Sequence, residues 1–407
     1  MKILFVTPFL PSPPRFGGQR RLDGLMRSLA VNHELTVISF NASDPFNQLS
    51  LEATRAYCRE VITFPDMEFL DGRDKRRLQA RSMLSRHSFE YLLLARRREF
   101  QARLQQLVQS GRFDIVQVEF AQMAAFSCEG KAARRTRTVL DEHNIEFDIV
   151  KRTASADVGA ARRVYSAVDW RKLRREERAA WRRFDGVSVT SERDAAILRK
   201  LEPRTKVSVV PNGVDIEQFR PNPAPCERDS LLFFGAINYY PNHDGIMFFL
   251  EQVYPLILAR RPKTKLWIVG PVGDDMKRLN SENIQVEGFV DQVEPYLDRA
   301  TAVIAPLRIG GGTRLKIVEA MSKAKPIVST RIGAEGLEVT HGKHVLLADE
   351  PQDFADQVER VLADEELAAS LGRAARELAE ERYSWMSLVK TLERFYDELL
   401  MSPPKQP

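Results

Sequence analysis

Apolar residues along this chain come in two patterns. Some form short, nearly continuous runs; others recur every three or four positions over longer stretches. The first pattern marks a strand buried on both faces, the second an amphipathic helix. KILFVTPF at the start is such a run. A Pro/Gly-rich loop follows, then Leu22, Leu25, Met26, Leu29 and Ala30 at helical spacing. LTVISF, FDIVQVEF, TRTVLDEHN, GVSVTS and KVSVVPNGVD read as further strands. Residues 74–110 read as long amphipathic helices, and 157–184 as a charged helix with Trp170, Leu173 and Trp181 as inner contacts. Ser191 opens the helix SERDAAILRKL as its N-cap.

The proline-rich, polar stretch RPNPAPCERDS, residues 220–230, interrupts this alternation. A second alternation then begins, with strands LLFFGAI, KLWIVG, IQVEGFV, TAVIAPL, KPIVST and HVLLA. A last helix at about 384–400 carries Trp385, Leu388, Leu392, Phe395 and Leu399 at spacings of three and four. Two successive runs of β-α alternation predict an α/β protein of two Rossmann-like, doubly wound parallel sheets covered by helices. Right-handed crossovers place ligand-binding loops at the carboxyl edge of each sheet. The expected divisions are 1–219, 220–383 and a terminal helix, 384–407.

Charge adds an asymmetry to this picture. Residues 1–220 hold 39 Lys and Arg against 28 Asp and Glu, and the remainder 22 against 28. The excess points the first half toward something anionic: a membrane surface, a lipid diphosphate or an acidic glycan. A solvated, arginine-rich surface is the other reading. Nucleic acid is not expected, because the basic clusters carry no helix-turn-helix, zinc or RNA-binding signature. No apolar run is long enough to span a membrane. The N-terminal run is broken by Pro8, Pro11, Pro13 and Pro14, unlike a secretory signal. Cys58, Cys128 and Cys226 form neither a metal spacing nor a disulfide framework. The expected location is cytoplasmic, with peripheral contact at the inner membrane face as an option.

The chemistry concentrates in a strand–loop–helix segment, TAVIAPL, RIGGGTR, LKIVEAMSKAKPIVST. Gly310, Gly311 and Gly312 allow a tight turn with exposed backbone N–H groups, and the helix is expected to start near Thr313. N–H groups at a helix N-terminus form an anion site suited to a diphosphate. Arg314 and Lys316 add cationic donors. Glu319 lies among apolar residues of this helix, where a carboxylate without a partner is costly. Its partner is either Lys316 or a nucleotide ribose. Asn242 and Asp244 either bind polar ligand groups or cap the helix that follows them. In the first half, Gly17 and Gly18 sit in the loop after the first strand, and Glu119 ends IVQVE as a candidate acceptor contact. Asp141, Glu142 and His143 follow a strand, but adjacent residues are poor metal-ligand spacing, and no Asp-x-Asp signature is present.

GGGTRLKIVEAMSKAKPIVST, with VPNGVD and GFVDQVEPYLDRA before it and IGAEGLEV after it, resembles the retaining family-4 glycosyltransferases of GT-B fold. The resemblance implies two Rossmann-like domains facing across a cleft, the second binding a nucleotide-diphospho-sugar and the first an acceptor. It implies hexosyl transfer to a sugar, lipid-linked or small-molecule hydroxyl with retention of configuration, in bacterial polysaccharide or glycoconjugate synthesis, with no metal or other cofactor. Glu319 matches the second glutamate of the family's paired-glutamate motif, which holds the ribose. Gly311 stands where the first would be. Gly235 keeps the family's glycine after LLFF, while Ala236 replaces the usual arginine. His143 matches a histidine beside the transferred sugar, and Gly17 and Gly18 match the glycine-rich loop. The implied catalytic set is His143, Arg314 and Lys316; the donor set is Gly235, Gly310, Gly311, Gly312, Thr313 and Glu319. Because Gly311 and Ala236 replace expected side chains, a catalytically silent nucleotide-sugar binder and a GT-B-fold epimerase stay as alternatives.

Overall fold

The computed structural model describes residues 1–41, 47–65, 72–94, 97–126, 128, 136–154, 160–222, 226–309 and 314–403. The chain divides into two compact units, Met1–Pro211 with Leu388–Pro407, and Asn212–Ser387.

In the first unit seven parallel strands form one sheet. They are β1 (Lys2–Thr7), β2 (Glu34–Asn41), β3 (Glu60–Pro65), β4 (Ile115–Glu119), β5 (Arg137–Glu142), β6 (Gly186–Val189) and β7 (Lys206–Val209), in the order β3-β2-β1-β4-β5-β6-β7. Chain direction across the sheet reverses between β1 and β4, the position where doubly wound folds bind ligands. β3 is the strand that apolar patterning misses. EVITFP is half-buried along most of its length at the sheet edge, so it lacks the run of apolar residues that a central strand needs.

Both faces of this sheet are covered. On one, Leu4, Val6, Val116, Val118, Leu140 and Val187 pack with Trp181 and Leu198 from helices, and Trp170 and Leu173 lie against this core. On the other lie the helix Gly17–Ala30 and the last helix, Trp385–Met401. The last helix meets the sheet through named contacts. Arg137 Nε donates to the Leu399 carbonyl at 3.0 Å, and a Cβ on Gly186 would fall 2.5 Å from the Phe395 ring. The helix expected over 157–184 is Ala160–Arg183, and a separate helix, Glu146–Ala154, precedes it. Residues 74–110 are three, Gly72–Leu84, Phe89–Leu94 and Arg98–Gln109. Ser191 caps its helix by accepting from the Asp194 N–H.

The second unit repeats the plan with six parallel strands, β8 (Ser230–Phe234), β9 (Lys265–Val269), β10 (Ile284–Gly288), β11 (Ala302–Ala305), β12 (Ile327–Ser329) and β13 (Leu346–Leu347). Their order is β10-β9-β8-β11-β12-β13, and the reversal lies between β8 and β11. The division at Pro211/Asn212 precedes the proline-rich stretch from which a boundary at 219/220 is expected. Val214 and Phe219 are buried in the second unit's core, and the Val214 N–H donates to the Tyr383 carbonyl at 2.8 Å. Burial of these two side chains, rather than local chain stiffness, sets the border.

Close backbone packing at the β8–β9 carboxyl edge depends on Gly270. Its φ is +137°, and a Cβ there would lie 1.9 Å from the Gly235 carbonyl oxygen. Gly342 also has positive φ, +77°, but its Cβ would meet nothing within 4 Å. Gly270→Ala is therefore expected to destabilise the second unit by more than about 2 kcal/mol. Gly342→Ala is expected to cost about 1 kcal/mol, the conformational penalty alone. Urea denaturation of both variants checks this, and equal losses would show that the carbonyl contact contributes nothing.

Candidate functional site

At the carboxyl edge of the first sheet, polar side chains are set by strand register. Gln117 and Glu119 alternate with the core residues Val116 and Val118 and so share the opposite face of β4. Glu119 pairs with Asp141 across β4 and β5, and Asp141 with Ser188 across β5 and β6. Helix Gly17–Ala30 contributes Arg21, only 1% exposed despite its charge. Arg21 grips Asp141 with two bonds, Nε to Oδ2 at 2.9 Å and Nη2 to Oδ1 at 3.0 Å, and donates through Nη1 to the Pro211 carbonyl. Ser188 donates to Asp141 Oδ1 at 2.6 Å. Gln117 donates to Glu119 Oε1 at 2.6 Å and accepts from the Tyr396 hydroxyl of the last helix. His143 Nε2 lies 2.8 Å from Glu119 Oε2 and 3.5 Å from Asp141 Oδ2.

Protonation follows from this packing. Burial raises the Glu119 carboxyl well above its ordinary range, and the neighbouring Asp141 charge raises it further. Burial would raise Asp141 too, but Arg21 and then His143 lower it below its ordinary value. The two carboxyls are thus pushed in opposite directions, Glu119 toward its protonated form and Asp141 toward its anion. His143 is pushed down to about 3, chiefly by burial, with Asp141 opposing and Arg21 adding to the effect. The ring is neutral at physiological pH. Its face stacks on Phe120, ring centroids 3.6 Å apart, and Phe120 itself has φ of 69°.

The sequence expectations for this unit need correcting at two places. Glu119 is fully enclosed and bonded to Gln117 and His143, so it orients His143 and offers no face to an acceptor. Gly18 makes room for the Phe120 ring, which would lie 2.9 Å from an added Cβ, and so supports the same histidine. Gly17 is exposed and opens the helix, where Phe16 supplies no side-chain cap. Within Asp141-Glu142-His143, the middle residue turns to the other face. Glu142 accepts from Trp181 Nε1 at 2.7 Å, and burial pushes its carboxyl up to about 8.

Sequence spacing gave no reason to group Glu119 with Asp141 and His143, yet the fold brings one ligand atom of each within 4.8 Å of the others. A cation there would compete with Arg21, which already occupies both oxygens of Asp141. Arg21, Gln117 and Tyr396 were not singled out from sequence. The legible signal was polar residues at alternate positions in an otherwise apolar strand.

The second unit builds its site around the β8/β11 reversal. Gly235 follows β8 with φ of +132°, and the helix Leu315–Ser322 follows the β11 loop with Arg314 at its N-cap position. Gly310, Gly311, Gly312 and Thr313 lie outside the described residues. Lys316 and Glu319 are both buried. Lys316 Nζ donates to Asn242 Oδ1 at 2.7 Å and sits 4.2 Å above the Phe233 ring. A Cβ on Gly235 would lie 3.3 Å from that nitrogen. Burial, and then the Arg314 charge, lower Lys316 to about 7, with Glu319 opposing. Asn242 in turn donates to the Ala236 carbonyl at 2.8 Å, and Asp244 pairs with Arg308 through two bonds of 2.6 and 3.0 Å. Neither residue is the N-cap of the helix Tyr240–Phe248: both lie within it, and Tyr239 stands at the N-cap position. They tie the β8 and β11 loops together instead. Lys316, Asn242 and Gly235 thus meet at one point, with Arg314 and Glu319 near enough to shift the lysine's charge.

Residues 17–218 match the family model described as Glycosyltransferase Family 4, and residues 228–364 the model described as Glycosyl transferases group 1. An uncharacterized 44.6 kDa protein of the cps region of Klebsiella pneumoniae is 22% identical over 373 residues, 88% of this chain and 90% of its own length. Among solved structures, a sucrose-phosphate synthase from Thermosynechococcus elongatus superposes with a TM-score of 0.71 at 16% identity, covering 98% of this chain and 99% of the other. HepE of Anabaena, solved in complex with UDP, superposes with a TM-score of 0.68 at 16% identity, over 98% of this chain and all of its own. With one family model on each unit and the fold shared along nearly the whole chain, the protein belongs to the glycosyltransferases of GT-B fold.

Proposed function

We propose that this protein transfers a hexosyl group from a nucleotide-diphospho-sugar to an acceptor hydroxyl with retention of configuration, in polysaccharide or glycoconjugate synthesis, and needs no metal ion or other cofactor. The observation that carries the reading is the junction at the second sheet's reversal. Lys316 is held there by Asn242 against Gly235, beside Arg314, with Glu319 one turn further along the same helix. In this reading Glu319 accepts hydrogen bonds from the ribose hydroxyls. Arg314, Lys316 and the N–H groups of Gly310 to Thr313 take the negative charge that grows on the diphosphate as the sugar–oxygen bond breaks. The acceptor oxygen bonds to the anomeric carbon on the face the diphosphate leaves, and its proton passes to the departing phosphate oxygen. The protein's work is then positioning and charge stabilisation. His143, neutral and fixed by Glu119 and Phe120, serves as a hydrogen-bonding contact to the sugar. Peripheral contact with an anionic membrane is supported by Arg73, Lys75, Arg76, Arg77 and Arg81, all exposed on the helix Gly72–Leu84, whose last residue is 95% exposed. No helix among the described residues is long and apolar enough to cross a membrane.

Release of nucleoside diphosphate from a panel of nucleotide-sugars, with and without acceptors, tests the transferase reading. Activity is expected to survive chelator treatment. Loss with chelator and rescue by magnesium or manganese would overturn the metal-free mechanism, and tight donor binding with no turnover would favour the silent binder.

Two variants are expected to separate binding from turnover. Glu319→Gln keeps the shape but loses charge-assisted bonds, and is expected to weaken nucleotide binding by about 1.5–3 kcal/mol. His143→Ala is expected to leave nucleotide affinity unchanged and to lower kcat. Calorimetry with UDP and initial-rate kinetics on folded variants check both.

Lys316 makes donor binding depend on pH. Its ammonium titrates at about 7 in the free unit, and a diphosphate beside it raises that value. The bound state therefore holds more protons than the free state above about pH 7. Affinity for UDP-glucose is expected to be level below that pH and to fall by up to about tenfold per pH unit above it. Lys316→Met should flatten the profile. A flat wild-type profile from pH 7 to 9 would remove Lys316 from the diphosphate site.

A further inference from the structure

A neutral histidine can donate from one ring nitrogen only, and the side chains behind His143 select which. Buried groups run from the last helix to the ring. The Tyr396 hydroxyl bonds Gln117 Oε1, Gln117 Nε2 lies 2.6 Å from Glu119 Oε1, and Glu119 Oε2 lies 2.8 Å from His143 Nε2. Tyr396, Gln117 and Glu119 are all fully buried, so bulk water does not serve them. Each bond takes one hydrogen, so a direction set at one end passes along the series to the other.

The tyrosine end sets it. Burial holds the Tyr396 phenol well above its ordinary range, and the Glu119 and Asp141 charges add to this, so the hydroxyl keeps its hydrogen. Among the described residues its acceptor is Gln117 Oε1. A buried hydroxyl without an acceptor is costly. Gln117 therefore turns its oxygen to Tyr396 and its N–H to Glu119, and Glu119 Oε1 accepts. The second carboxyl sharpens the choice at Oε2. Asp141 accepts two bonds from Arg21 and one from Ser188, donors enough for an anion. Glu119 has one donor in Gln117, and burial and the Asp141 charge push it toward its protonated form. With Oε1 already facing an N–H, a proton on this carboxyl belongs on Oε2, against His143 Nε2.

We infer that Tyr396, Gln117 and Glu119 are positioning residues, a one-way series of donors in which the Glu119 carboxyl donates to His143 Nε2 and the ring carries its own proton on Nδ1. None of the described residues bonds Nδ1. His143 then meets a ligand oxygen as an N–H donor. That the oxygen belongs to a sugar rests on the transferase reading; the tautomer does not. The reverse series would have His143 donate from Nε2 and would end on Tyr396 as an acceptor, its own hydrogen without a described partner.

Nitrogen–proton correlation NMR on the full chain with isotope-labelled histidine reads the tautomer, and the signals lost in His143→Gln identify this ring among the six histidines. The unaltered protein is expected to show Nδ1 protonated and Nε2 bare. Glu119→Gln can donate from its amide in the same direction and is expected to keep that tautomer. Glu119→Met removes the donor, leaving Asp141 Oδ2, 3.5 Å from Nε2, as the nearest acceptor, and is expected to shift the proton to Nε2. Its kcat is expected to fall at least about tenfold below that of Glu119→Gln, with UDP affinity unchanged. Tyr396→Phe frees Gln117 to turn over and is expected to populate both tautomers without touching the ring. A structural role alone would lower stability in these variants and leave the tautomer where it was. An Nε2–H ring in the unaltered protein or in Glu119→Gln, or an unshifted tautomer in Tyr396→Phe, would overturn the inference, whether or not Glu119→Met folds. Absence of turnover in the unaltered protein would sink the transferase reading and leave the tautomer result standing.

Discussion

Two carboxylates stand opposite each other on neighbouring buried strands, Glu119 on β4 and Asp141 on β5. Both cannot be ionised in an interior of low polarity. Arg21 eases the conflict by favouring the Asp141 anion, while burial and that charge push Glu119 toward its protonated form. The arrangement spans sequence-distant elements: the first helix, three strands and, through Tyr396 and Gln117, the last helix. Removing any one member would leave a buried polar group without its partner. Return of the last helix to this sheet is thus tied to the polar face that it covers, as well as to the apolar contacts of Phe395 and Leu399.

The second unit faces the opposite problem at the corresponding place in its sheet. There a lysine is buried instead of a carboxylate pair, and its charge is reduced by burial and by Arg314. Asn242 and the Phe233 ring face are its neighbours. A side chain prepared in this way gains most when an anion arrives, because the anion restores the charge that burial suppresses. The same topology therefore carries two electrostatic designs. One holds a neutral histidine beside a carboxyl pair tied to Arg21; the other holds a buried lysine against Asn242 and an aromatic ring face.

Legibility in the sequence tracked how local each determinant was. The central strands announced themselves because burial on both faces demands continuous apolar runs. β3 did not, because an edge strand is half-exposed. The break at Pro211/Asn212 was hidden by the stronger prolines beyond it, since the burial of Val214 and Phe219 depends on residues far along the chain. Burial of Glu319 was legible from its apolar helical neighbours. The partner of Lys316 was not, because Asn242 lies 74 residues away.

The order of strands and helices, the paired α/β plan and the cationic helix after the glycine run were all written in the sequence, because periodicity and turn chemistry are local properties. Only the tertiary structure decided that Glu119 serves His143, that Gly18 yields space to Phe120, and that Glu142 turns away to Trp181. Those outcomes depend on register between strands and on which helix covers which face. Register and coverage bring together residues that no spacing along the chain relates.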